Sequence, residues 1–208
     1  MSIWSWDGIV PVVDPDAFVH PDATLIGDVI IAAGVYVGPQ CVLRGDFGRI
    51  EIGAGANIQE TCVVHTFPNL GVLVEPSGHI GHGAVLHGCR IGRNAMVGMN
   101  AVVMDEAEIG ENSIVAAMAF VKAGARIPAR SLAVGSPARV VRELSDQEID
   151  WKTRGTGVYQ RLALEARSKL APTVPLAAPE PDRRRVRAPE FDPLIIDRMK
   201  SGGRTPPR

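Results

Sequence analysis

Cysteine and aromatic side chains are scarce in this chain, and neither sign of charge prevails. Three cysteines (Cys41, Cys62 and Cys89) form an odd set with no paired spacing. That excludes a disulfide framework and leads us to expect a reducing, cytoplasmic setting. Aromatics make up only 5% of the 208 residues, so the core has to be built from small and branched aliphatic side chains. A formal net charge of −1 with 22% charged residues excludes a broadly basic nucleic-acid binder and an acidic disordered chain. No apolar run approaches the ~18 residues a membrane span needs, and the start lacks the basic and apolar segments of a secretory leader. Neither nucleic acid nor membrane is expected as a partner.

What the chain does hold is a repeat. An aliphatic residue recurs every six positions at Val19, Leu25, Ile31, Val37 and Leu43, and again at Ile52, Ile58 and Val64. After an interruption at about residues 66–79 come Ile80, Leu86 and Ile91, and the step of six then holds from Val97 through Val103, Ile109, Val115, Val121 and Ile127. A helix cannot use this period, because it turns successive aliphatics by about 240°. Short strands with a corner at each hexad can. The residue after the aliphatic is often Gly, as at Gly38, Gly53, Gly81, Gly92, Gly98 and Gly110. We expect these glycines to take positive φ at the corners. The fourth position after the aliphatic is usually small, as at Ala23, Cys41, Ala56, Cys62, Ala84 and Ala101. This is the hexapeptide signature of a parallel β-helix, an all-β fold. Cys41 and Cys62 sit in the small position and are read as packing groups.

The repeat assigns residues 1–138 to the β-helix. Residues 139–170 form a C-terminal helical segment, opened by a capping box of Ser145 and Glu148. Gly155 and Gly157 are expected to interrupt it, with a second helical stretch from about Val158 to Leu170. Residues 171–208 hold eight of the 16 prolines and a basic run from Arg183 to Arg187. They read as an extended arm or disordered tail, with the basic run solvated.

Three of the five histidines stand in repeat register. His65 follows Val64 by one and His87 follows Leu86 by one. If the interruption replaces one face of a coil, they stack on adjacent coils, ~5 Å apart. His82, two after Ile80, lies one face earlier near a corner and cannot converge with them inside one prism. A threefold ring of prisms brings His82 of one subunit to His65 and His87 of the next, and three imidazoles with an open fourth position are the ligand set of a catalytic zinc site. Such a set also suits Fe2+ or Co2+. The alternative is a row of exposed histidines with no metal. His79 and His20 are left outside the set. Arg44 and Asp46 are expected to pair across the subunit contact, and Gln59 to orient a water.

The run Arg44-Gly-Asp-Phe-Gly-Arg, the segment Gly55-Ala-Asn-Ile-Gln-Glu60, His65, the segment from Gly78 to Cys89 with His82 and His87, and Val97-Gly-Met-Asn100 together resemble the γ-class carbonic anhydrase family. The resemblance implies a left-handed β-helix, a homotrimer, and one metal at each subunit interface held by His65, His82 and His87. It also implies an interface pair of Arg44 and Asp46, a water-positioning Gln59, and polar roles for Glu60, where the family usually has Asp, and Asn100. The phrases Gly34-Val-Tyr-Val-Gly-Pro and Gly135-Ser-Pro-Ala-Arg-Val-Val-Arg-Glu-Leu-Ser narrow the likeness to hexapeptide-repeat proteins of phenylacetic acid degradation and carnitine metabolism.

A bound zinc acidifies its water, and the resulting hydroxide suits attack on CO2 or on a thioester carbonyl. The interruption at 66–79 carries a single acid, Glu75, whereas efficient carbonic anhydrases of that family carry an acidic loop that exports protons. That, with the subgroup resemblance, favours a metal-dependent acyl-CoA thioesterase. CO2 hydration and metal-free acyl transfer from CoA are the alternatives, with a non-enzymatic scaffold last.

Overall fold

The computed structural model describes residues 1–187 and 189–200. The hexads wind into a parallel β-solenoid of about seven turns, followed by a long helix. Each turn has three flat faces. The first stacks residues 24–27, 42–45, Val63–His65, Val85–His87, Val102–Val103 and Phe120–Val121. The second stacks residues 29–31, 50–52, Val72–Val74, Arg90–Ile91, Glu108–Ile109 and Arg126–Ile127. The third runs from Phe18–Val19 through Tyr36–Val37, Asn57–Ile58, His79–Ile80, Met96–Val97 and Ile114–Val115 to Ser131–Val134. Ser2–Trp4 and Val12–Val13 pair onto the first turn, and Arg139–Glu143 closes the last turn as an antiparallel strand.

The register explains the period. Leu25, Leu43, Val64, Leu86, Val103 and Val121 lie over one another, point inward and are buried, as are their counterparts on the other faces. The small fourth-position residues fill the space between them. Cys41 donates its thiol to the Gln59 carbonyl at 2.8 Å and Cys62 to that of Gly81 at 3.2 Å, as packing groups would.

Four sequence expectations need correction. The glycines after the aliphatics do not carry the positive φ. That conformation falls two residues later, at Gly34, Gln40, Gly55, Thr61, Ser77, Gly83, Asn94, Asn100 and Asn112. Gly98 and Gly110 are small because coils stack there: a Cβ on either would lie 2.4 Å from a backbone nitrogen of the next turn. The interruption is also shorter than 66–79. Val72–Val74 restores the second face, and Val74, six before Ile80, pairs with Ile52 and Ile91. The step from Val64 to Val74 is ten, so only four residues within 66–71 are extra.

The C-terminal segment is one helix, α1 (Asp146–Lys169), with no break at Gly155 or Gly157. The Ser145–Glu148 capping box forms as expected. Gly155 is instead a notch, since a Cβ there would stand 2.8 Å from the Phe191 ring. Beyond Lys169 the chain is irregular and exposed through the basic run, then folds back. Phe191 stacks on Trp151 at 5.4 Å, Trp151 Nε1 donates to the Asp192 carbonyl, and a second helix, α2 (Leu194–Lys200), follows. The arm is therefore docked over part of its length; residues 201–208 lie outside the described residues.

Helix α1 runs back along the solenoid, from its last turn to its first. Lys152 reaches Ser77 and Asn94, Thr156 meets His79, Gln160 donates to the Gly55 carbonyl, Ala163 packs with Phe18 and Tyr36, and Arg167 pairs with Asp16. The helical pitch of ~5.4 Å nearly matches the ~4.8 Å between stacked strands, so each helical turn meets one coil.

Candidate metal centre and its surroundings

The first face carries the densest polar cluster. His65 ends Val63–His65 and His87 ends Val85–His87, and the two are register partners. Their ring nitrogens, Nδ1 of His65 and Nε2 of His87, face each other at 3.2 Å. Asp46 lies beside them in Val42–Ile52, where it accepts from Arg44 at 2.6 Å and contacts His65 Nε2 at 3.2 Å. Arg44 and Asp46 thus pair within one chain. Asp105, two residues past Val103 and a turn beyond His87, contacts His87 Nδ1 at 2.6 Å. Phe47 and Phe67 flank the rings at 5.2 and 5.1 Å.

The protonation pattern defines what this pair accepts. Burial pushes Asp46 up, but the hydrogen bond and charge of Arg44, its own backbone and His65 outweigh that and hold it below the ordinary range. Burial and the Arg44 charge push His65 down against the pull of Asp46, so the ring favours the neutral form. Asp46 and Asp105 stand where each can accept an N–H, from His65 Nε2 and His87 Nδ1 respectively. The two nitrogens left facing each other then both present lone pairs. That arrangement is repulsive when empty and attractive around a cation. Two imidazole nitrogens bound tetrahedrally to zinc at ~2.0–2.1 Å stand about 3.3–3.4 Å apart, close to the spacing here. The donor set fits a metal. Carboxylates on the outer nitrogens are the usual support for ligating histidines.

His82 shows the same pattern elsewhere. Its Nδ1 lies 2.5 Å from Glu60, which also accepts from the Tyr36 hydroxyl at 3.0 Å. Burial pushes Glu60 up, yet its backbone, Tyr36 and His82 hold it below its ordinary value. The second nitrogen of His82 is left at a corner where the side chain is 46% exposed. Among the described residues, no three histidine, cysteine or carboxylate groups of one chain come together to hold a metal.

Gln59 lies on the third face with His79. Its amide nitrogen donates to Asn57 at 2.9 Å and faces His79 Nε2 at 2.8 Å, while His79 Nδ1 meets Thr156 on α1 at 3.3 Å. Burial, with smaller contributions from Lys152 and His82, pushes His79 down to about 3 and keeps it neutral. Asn100 occupies a positive-φ corner, its side chain over Gly83 and its N–H on the His82 carbonyl. The structure thus joins Arg44, Asp46, His65 and His87, separately joins Glu60 with His82, and sets Gln59 against His79. The His20 ring meets only its neighbour Asp22 in polar contact among the described residues. Sequence reasoning missed Asp105, whose signal is its spacing of 18 from His87, one full coil. It also missed the buried network of His79, Asn57 and Thr156, which needs α1 to close it.

Several known proteins are similar to this chain. The bacterial transferase hexapeptide (six repeats) family matches residues 88–123. The carnitine operon protein CaiE of Proteus sp. (strain LE138) is 55% identical over 187 residues, covering 90% of this chain and 95% of that protein. That of Salmonella agona (strain SL483) is 56% identical, covering 90% and 94%. A hexapeptide transferase family protein from Anaplasma phagocytophilum superposes with a TM-score of 0.76 at 36% identity, over 81% of this chain and 98% of that one. A putative acetyltransferase from Bacillus cereus gives 0.79 at 31% identity, over 80% and 97%.

Proposed function

Because the chain belongs to the hexapeptide-repeat transferase family and is a close homologue of the carnitine operon protein CaiE, we propose that it is a metal-dependent acyl-CoA thioesterase whose site is completed between the subunits of a homotrimer. The observation that carries this reading is the approach of His65 Nδ1 to His87 Nε2 at 3.2 Å, each ring backed by a carboxylate on its other nitrogen. His82 offers a third nitrogen at an exposed corner, where a neighbouring subunit's pair can meet it. A zinc, iron or cobalt ion held by these three imidazoles would supply a Lewis acid and a water acidified at neutral pH. Asp105 and Asp46 fix the orientation of His87 and His65, and Glu60 does the same for His82. Arg44 keeps Asp46 ionised. Gln59, its nitrogen committed to Asn57 and His79, keeps its amide oxygen to orient a polar group of the substrate.

Loop 66–71 beside the pair supplies no carboxylate, and Glu75 is taken by Arg90 and the Arg93 amide. No acidic loop serves to export protons at the rate CO2 hydration demands, which favours the thioester. Acyl transfer from CoA with a histidine base is the second reading, favoured by the family match and by the Bacillus cereus relative. The test is hydrolysis of aromatic and aliphatic acyl-CoA esters by zinc-loaded protein beside His87→Ala. Turnover in the wild type that falls at least a hundredfold with bound zinc in the variant is expected. Equal hydrolysis by metal-free protein overturns the mechanism.

A further inference from the structure

Between the third face and α1 lies a cavity of about 180 Å³ whose exposed surface is mostly apolar, with Gln59, His79, His82, Lys152 and Tyr159 also at its wall. Its walls include Met96 from the solenoid, Trp151 and Val158 from α1, and Phe191 from the returning arm. Gln59 and His82, both assigned above to the reaction, line the same cavity. It therefore joins the candidate chemistry to an apolar enclosure built from three separate parts of the chain.

The lining defines what fits. An apolar cavity of ~150 Å³ holds a benzene molecule, so this one holds a single ring or a chain of about six carbons. A phosphate or nucleotide finds no free cation, since Lys152 is spent on the Ser77 carbonyl at 2.9 Å and Asn94 at 2.6 Å. The wall contains no carboxylate to hold a cationic group. Phe191 closes the enclosure, and it reaches that position only because residue 155 has no Cβ.

We propose that this cavity is the acyl-binding pocket, that it takes a short neutral apolar or monocyclic acyl group, and that Phe191 sets the upper limit of its length. The assignment rests on the thioesterase reading. Its consequence is a substrate optimum at about four to six carbons, with long-chain acyl groups refused by the Phe191 wall.

The experiment is a chain-length series from acetyl- to dodecanoyl-CoA, with benzoyl-CoA, on zinc-loaded full-length protein, reading kcat and KM. Phe191→Ala should raise the dodecanoyl-to-hexanoyl ratio of kcat/KM at least tenfold. Gly155→Ala, which displaces Phe191, should move it the same way. Val158→Phe should lower the hexanoyl-to-acetyl ratio at least tenfold, and thermal melts confirm that each variant folds. In parallel, S-alkyl-CoA thioethers of the same lengths, which cannot be hydrolysed, are titrated against Trp151 fluorescence, with Trp151→Phe as control. Hydrolysis with one chain-length profile in all variants overturns the pocket and leaves the thioesterase standing. No hydrolysis, with thioether binding that still depends on length and on Phe191, upholds the pocket and overturns the reaction. A preference for cationic acyl groups of equal size overturns the neutral assignment.

Discussion

Single residues in this protein are held by partners one coil away, and the coil spacing makes those partners predictable. His87 and Asp105 are separated by one turn, and their 2.6 Å contact fixes which ring nitrogen of His87 faces His65. Asp105→Asn keeps the shape and removes the charge. If the proposed metal site holds, it should weaken zinc affinity 10–100-fold, read by competition with a chelator. His79 gives a prediction in pH. Its folded value of about 3 lies below its ordinary one, so between pH 6.5 and 3 the unfolded chain binds the proton first. Its contribution to stability is complete above pH 6.5 and is lost as pH falls towards 3, at no more than ~1.4 kcal/mol per pH unit. Urea denaturation at pH 6.5 and 5 should show a shallower loss in His79→Asn than in the wild type. The register of His65, His82 and His87 was legible from hexad counting alone. The role of His79 was not, because its partners include Thr156, 77 residues away on an element whose docking no local pattern reveals.

The strands were legible as elements because each inward aliphatic repeats at a fixed interval, and all of them are buried as that interval requires. The corners were misread. Glycine was taken as a conformational device, whereas at Gly98 and Gly110 it is a steric one, and Asn, Ser, Thr or Gln carry the left-handed turn two residues on. The two roles separate in an experiment. Gly98→Ala should destabilise the protein by ~1–3 kcal/mol through overpacking against Ala117, whereas Asn100→Gly, at a corner that already tolerates positive φ, should change stability by less than ~1 kcal/mol. Chemical denaturation measures both. Helix α1 was foreseen at its start, where Ser145 caps Glu148, and misjudged at Gly155, because only the folded arm shows that Phe191 needs the space. The cap binds Arg142 as well, and the Arg142 hydrogen bonds are the main reason that Glu148 is pushed down to about 2.

For the whole molecule, the first face leaves Phe47, Val63 and Phe67 exposed beside the histidine pair, and Met99 and Met118 are exposed at the corner that carries His82. Apolar groups clustered on one side of a solenoid are the expected mark of a contact with further copies. Phe67→Glu places a charge in that contact, and light scattering should show the proposed trimer giving way to monomer while zinc binding falls in step. A trimer that persists with full zinc content separates the metal site from this surface.

A solenoid on its own is an open row of neighbours, and such a row unravels from either end, one unit at a time. Here α1 leaves the last coil, touches coil after coil and ends at Phe18, Tyr36 and Asp16 in the first. It acts as a splint that ties the two ends of the row together, so that neither end frays without releasing the other. Ala163→Asp, which buries a carboxylate against Phe18 and Tyr36, should cut that tie. The expected signs are a broader thermal transition, a calorimetric enthalpy exceeding the van't Hoff value, and amide exchange in residues 18–37 that runs ahead of the remaining coils.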